Sequence, residues 1–175
     1  MHLIFFDLDG TLLNDASEIS PFTKETLILL RENDIAYTVA TGRTMLSARE
    51  IVEGHDFNLP QIYNNGVTVW DPKIQQITLE NLLDNGEIST VINAAIAQGI
   101  TPFVNVIEKH QHFIFHSETR HDVETELVYK YFSSSKAKLL PLEALPINRT
   151  VTNLSMIGFT YNINMIMLKP FYYTH

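Results

Sequence analysis

Apolar and polar positions along the 175-residue chain change period several times, and those changes outline its elements. Residues 3–6 are a short unbroken apolar run, which predicts a strand buried on both faces. Ser20-Pro21 reads as an N-cap followed by proline at the first helical position. The helix it opens turns Leu27, Ile28 and Leu30 inward and fades near Asn33-Asp34. Residues 35–40 predict a second strand. Thr44 opens a second helix with Met45, Ala48, Ile51 and Val52 on one face. Pro60 precedes a third short strand, Gln61–Tyr63. Strand and helix alternate throughout, which predicts a parallel α/β sheet.

The rhythm then breaks. Residues 67–70 and 74–79 flank Asp71-Pro72 and predict a hairpin. From Asn85 a helical stripe runs through Ile88, Val91, Ile92, Ala95 and Ile96, with Gly99 as its stop. Two strands follow, 101–107 and 112–117, then a helix over 122–132 that buries Val123, Leu127, Val128 and Tyr131. A serine loop occupies 133–135, and 153–160 predict one more strand. This α-β-β-α half reads as a separate small domain, so the expected division is 1–82 and 83–175.

Composition narrows the classes. With 45% hydrophobic and 18% charged residues, the chain can build one good core or one and a half small domains. It has no cysteine, so disulfides, a thiol nucleophile and a zinc–thiolate site are excluded. The first apolar run is too short for a secretory signal and Asp7 follows it, so a cytoplasmic protein is expected. No apolar stretch approaches a membrane span. A net charge of −8 argues against general nucleic-acid binding. An acidic protein acting on a phosphate needs a cation, and Mg²⁺ is the natural candidate.

Candidate chemistry gathers at strand ends, where ligands bind in α/β sheets. Asp7 ends strand one, Thr41-Gly42-Arg43 ends strand two and Asn64-Asn65-Gly66 ends strand three. Asp7 and Asp9 repel each other unless a cation or a proton intervenes. A divalent metal resolves that conflict, and the pair can also divide into a nucleophile and an acid/base. Gly10 permits a sharp turn, while the Thr41 hydroxyl and the Gly42 N–H suit phosphate oxygens. Farther on, His110, His112 and His116 alternate and share a strand face with Ile114. Phe113 and Phe115 face the other way, onto the helices, so the histidine face is expected to be open.

"DLDGTLL" at 7–13 resembles the first signature of the haloacid dehalogenase-like phosphohydrolases, and "ATGR" at 40–43 resembles the second. "NNG" followed by a hairpin and an α-β-β-α insertion resembles the Cof-type members. The resemblance implies a partial Rossmann-like core over 1–82 and a partial α/β cap over 83–175. It implies a Mg²⁺-dependent phosphatase acting on a small phosphorylated metabolite, such as a sugar phosphate or a cofactor phosphate. Asp7 would form an aspartyl-phosphate. Asp9 would protonate the leaving oxygen and then activate water. The Asp7 carboxylate and the Asp9 backbone carbonyl would hold Mg²⁺. Thr41 and Gly42 would grip the phosphoryl group, with Arg43 and Asn65 as further phosphate contacts.

Two later signatures of that family are unmatched. No Gly-Asp dipeptide occurs, and Lys169 in "MLKPFYY" does not fit the family's lysine. The expectation is therefore a truncated member whose sheet keeps an uncovered edge and apolar face, through which copies self-associate. The alternative is a catalytically incompetent relative that holds metal or phosphate weakly. A receiver-type phosphoacceptor is the third reading. Gly10-Thr11 after the second aspartate and the cap-like insertion count against it.

Overall fold

The structure is a computed structural model that describes residues 2–80, 82–108, 111–129 and 137–156, with the Leu127 side chain left aside. The expectations for His110, Tyr131, the loop 133–135, the strand residues 157–160 and Lys169 lie outside those residues. The backbone separates into two compact units, Met1–Asn81 and Leu82–His175.

In the first unit, β1 (His2–Phe6) runs parallel to β2 (Ile35–Val39), in register from His2 opposite Ile35 to Phe6 opposite Val39. Between them lies α1 (Pro21–Glu32), with the Ser20 hydroxyl accepting the Thr23 N–H and proline in the first turn. Next comes α2 (Met45–Val52), capped by Thr44. The strand β3 (Gln61–Tyr63) follows, joined to the end of β2 by one parallel bridge between Ala40 and Ile62. Then β4 (Thr68–Asp71) and β5 (Gln76–Leu79) add on antiparallel. Crossovers between parallel strands are right-handed, and both step the same way across the sheet, so both helices belong on one face. The packing agrees: Leu27 of α1 and Met45, Ala48 and Val52 of α2 share a core with Tyr37 and Val39, against which Ile4 and Phe6 pack.

That topology corrects two expectations. β1 is not buried on both faces: Leu3 is 44% and Phe5 55% exposed, on the side the helices do not cover. Among the described residues β1 pairs with β2 alone, so its other edge is free as well. Ile28 does not face the core either. It lies 100° round from Leu27, off the stripe that Leu27 and Leu30 form, and is exposed.

The second unit opens with α3 (Asn85–Ala97), whose N-terminus carries a capping box: Asp84 accepts the Glu87 N–H and Glu87 accepts the Asp84 N–H, both at 2.8 Å. Its C-terminus is a Schellman motif. Gly99 takes φ +71°, its N–H bonds the Ile96 carbonyl, and the Ile100 N–H bonds the Ala95 carbonyl. Ala95 and Ile100 then pack together. Two strands, β6 (Pro102–Glu108) and β7 (Gln111–His116), form an antiparallel hairpin. The helix α4 (Asp122–Leu127) follows, then β8 (Lys138–Pro141) and β9 (Val151–Met156). β8 lies parallel to β7 and β9 antiparallel to β6, giving the order β8-β7-β6-β9.

One sheet face carries Val104, Val106 and Phe115, which pack with Ile88 and Ile92 of α3 and with Phe113. The histidine face is not open as expected. Opposite His116 and His112 stand Phe103 and Ile107, both buried, and Ile114 between the histidines is buried too. Burial holds the His112 imidazole below its ordinary pKa. The start of α4 is also turned from its expected orientation. Val123 is 56% exposed and Glu124 is fully buried, its carboxylate meeting three hydrogen-bond donors. Among the described residues, no helix is long and apolar enough to cross a membrane.

Candidate active site

The loop after β1 answers the puzzle of two aspartates on a greasy strand. Leu8 between them is fully buried, so its neighbours on either side are turned to solvent. The Asp7 carboxylate accepts the Leu8 N–H at 2.7 Å. Asp9 stays extended, Gly10 turns at φ +69°, and the Leu13 N–H closes the turn on the Leu8 carbonyl at 2.9 Å. Leu12 and Leu13 are buried and anchor the far side.

Backbone hydrogen bonds stitch the loops after β1, β2 and β3 together. The Ala40 N–H bonds the Phe6 carbonyl at 2.9 Å, and the Thr41 N–H bonds the Ile62 carbonyl at 3.0 Å. The Asn64 N–H bonds the Arg43 carbonyl at 2.9 Å, and the Asn65 N–H bonds the Thr41 carbonyl at 3.1 Å. Thr41 is buried, its hydroxyl accepting the Arg43 N–H at 3.2 Å. Gly42 lets Asn65 come close: a Cβ there would lie 3.0 Å from the Asn65 Oδ1 and push that amide aside. Asn64 and Asn65 both take positive φ, which asparagine tolerates better than most residues. The Asn64 amide is buried and donates to the Thr68 hydroxyl at 3.0 Å.

Arg43 does something its position did not announce. Its Nε donates to Asp9 Oδ2 at 2.7 Å and its Nη2 to Asp9 Oδ1 at 2.5 Å, a two-pronged pair across 34 residues of chain. Nη2 also reaches the Ser17 hydroxyl at 3.1 Å. The Arg43 guanidinium, hydrogen-bonded to Asp9, holds that carboxyl below the usual carboxylate range. The Asp9 side chain is 59% exposed, so solvent screens much of that attraction. Ser17 escaped sequence reasoning. Ser17 sits in a polar loop without periodicity, and only the fold brings it to Arg43.

Asp7 and Asp9 are the carboxylates available for a cation. No group of three or more potential ligand side chains converges among the described residues. Mg²⁺ is often held by one or two carboxylates while keeping several waters, and this hard-oxygen pair suits that mode. The Asp9 carboxylate, however, already has both oxygens on Arg43.

Residues 4–164 match the family model of haloacid dehalogenase-like hydrolases. Over 69 residues the chain is 35% identical to the 5-amino-6-(5-phospho-D-ribitylamino)uracil phosphatase YcsE of Bacillus subtilis, covering 39% of this chain and 28% of that protein. Over 80 residues it is 36% identical to the HMP-PP phosphatase of Serratia proteamaculans, covering 46% of this chain and 29% of that protein. The fold superposes on the HAD subclass IIB sugar phosphatase BT4131 with a TM-score of 0.73 at 16% identity, covering 95% of this chain and 62% of that one. The chain thus matches less than a third of those two relatives' lengths and less than two thirds of that solved chain. The Cof-type resemblance read from the sequence agrees with these relatives.

Proposed function

The chain belongs to the haloacid dehalogenase-like hydrolase family, and from that premise we propose that it hydrolyses a phosphomonoester through an aspartyl-phosphate. The observation that carries the reading is the pair Asp7 and Asp9 held outward by buried Leu8, beside the stitched loops of Thr41-Gly42 and Asn65. A carboxylate oxygen of Asp7 attacks phosphorus while the bond to the leaving oxygen breaks, and Asp9, once it has taken up a proton, passes it to that oxygen. A water then attacks the phosphorus of the aspartyl-phosphate as Asp9 takes its proton, releasing inorganic phosphate and restoring Asp7. Thr41 and Gly42 bind phosphoryl oxygens through a hydroxyl and a backbone N–H, and Asn65 lies against Gly42 to add a further contact. Asp7 and the Asp9 backbone carbonyl would hold Mg²⁺, which offsets the negative charge of the reacting groups. The substrate class is a small phosphorylated metabolite, in keeping with the phosphatase names of the relatives.

The test is hydrolysis of an aryl phosphate by this chain and its Asp7→Asn variant, with and without Mg²⁺. Activity that needs both Asp7 and the metal is expected. Turnover that survives Asp7→Asn refutes the mechanism. A folded chain that binds phosphate without turnover is the outcome for the second reading, an incompetent relative. The engagement of both Asp9 oxygens by Arg43, which makes that carboxyl harder to protonate, favours that reading.

A further inference from the structure

We infer that Arg43 is a positioning residue for Asp9 rather than a phosphate ligand: its guanidinium fork, held by the Ser17 hydroxyl, fixes the place and plane of the Asp9 carboxylate. This rests on the phosphatase reading above. Three observations carry it. Both oxygens of Asp9 are engaged by two separate nitrogens of Arg43, a geometry that fixes the plane of the carboxylate as well as its place. The guanidinium is itself braced, because Nη2 also meets the Ser17 hydroxyl. And Arg43 is placed from its own backbone: its N–H bonds Thr41 Oγ1 and its carbonyl takes the Asn64 N–H. Asp9 needs such help. Its side chain is 59% exposed, and among the described residues its carboxylate bonds Arg43 alone. A solvent-facing aspartate would otherwise sample several rotamers, few of them aimed at a leaving oxygen or an attacking water. The fork occupies one lone pair on each oxygen, so any further partner must meet an outward-facing lone pair in the plane that Arg43 sets.

A residue that acts through Asp9 and one that binds phosphate make opposite kinetic predictions. Arg43→Ala is expected to lower kcat by about a hundred-fold, the scale of a misplaced reacting group, with KM and the inhibition constant of inorganic phosphate unchanged. In an Asp9→Asn background the same change is expected to cost nothing further, because the two residues form one unit. Arg43→Lys keeps the charge and loses the fork, so it is expected to recover only part of kcat. A raised phosphate inhibition constant, or an effect that multiplies with Asp9→Asn, overturns the inference.

The pair is also read without turnover, from the Arg43 Nε–H resonance in a ¹⁵N-edited spectrum of the whole chain. Asp9→Asn is expected to move it, and adding inorganic phosphate with Mg²⁺ is not. A resonance indifferent to Asp9→Asn, or one that phosphate shifts, overturns the inference. If turnover is absent but Asp9→Asn moves the resonance, the phosphatase reading fails and the pair stands.

Discussion

Replacing Glu124 by alanine removes a buried carboxylate on which the joint between α4 and β6 depends. The carboxylate accepts the Thr101 N–H at 3.1 Å, the Thr101 hydroxyl at 2.8 Å and the Arg120 N–H at 2.6 Å. The hydroxyl has a second acceptor in the Glu118 carbonyl at 3.2 Å, so it is not orphaned. The two backbone N–H groups are. Thr101 is fully buried and bears the full penalty of an unmet donor, while exposed Arg120 regains part of its bond from water. At about 1–3 kcal/mol for each unmet buried donor, Glu124→Ala should cost about 3 kcal/mol, a large share of an ordinary stability margin of about 5–15 kcal/mol. Urea unfolding followed by far-ultraviolet circular dichroism measures the loss, with separate transitions allowed for the two units. Hydrogen exchange at the Thr101 and Arg120 amides localises it.

The acid limb gives a second check on the same group. Burial alone would raise the Glu124 pKa, but the hydrogen bonds from Arg120 and Thr101 outweigh it and hold the carboxyl below its ordinary range. Its contribution is therefore complete above the unfolded carboxylate pKa of about 4.3. It is lost as pH falls through the lower native value. Glu124→Gln should flatten that part of the acid profile. A loss under about 0.5 kcal/mol in the alanine variant, with unchanged exchange at Thr101, would refute this account of the joint.

Three further expectations concern particular features of the fold. Phe5→Thr puts a β-branched, strand-compatible residue at an exposed position, so it should change stability by less than about 1 kcal/mol while reducing self-association in sedimentation; a large loss of stability would mean that this face is covered in solution. Gly10→Ala meets no atom within 4 Å, so its cost is the backbone strain of φ +69° alone. That is about 1–2 kcal/mol by denaturation, together with a loss of phosphatase activity because the turn carries Asp9; a neutral result on both counts would contradict the conformation of the turn. His112 is held below the ordinary imidazole value by burial, so the native state stays neutral where the unfolded chain takes a proton. Stability should then fall as pH drops below about 6.5 and level off below the native value, and a His112 proton titration by NMR with its midpoint at or above the free value would reverse that sign.

Local rules were written openly in the chain. Ser20-Pro21 starts α1, Thr44 starts α2, and Gly99 ends α3, because capping and left-handed turns depend on a few adjacent residues. The end of β1 was legible as a ligand position, but that buried Leu8 turns both aspartates outward came from the structure. Strand-end placement then predicted that the loops carrying Asp7, Thr41-Gly42 and Asn65 meet, since parallel strands put their carboxyl ends on one edge. What periodicity could not decide was which surface of each element would find a neighbour. Leu3 and Phe5 read as core residues, yet both helices lie on the opposite face, a consequence of the shared direction of the two crossovers. Val123 read as one of the buried residues of α4, yet three donors on Thr101, just before β6, and Arg120, in the loop before α4, made the interior fit Glu124 instead. β8 carried no clear pattern of its own and exists through its pairing with β7. The pairing of Arg43 with Asp9 is of the same kind. Hydrogen bonds that span 34 residues leave no trace in a local pattern, because the path of the whole chain, and not the spacing of neighbours, brings those two side chains together.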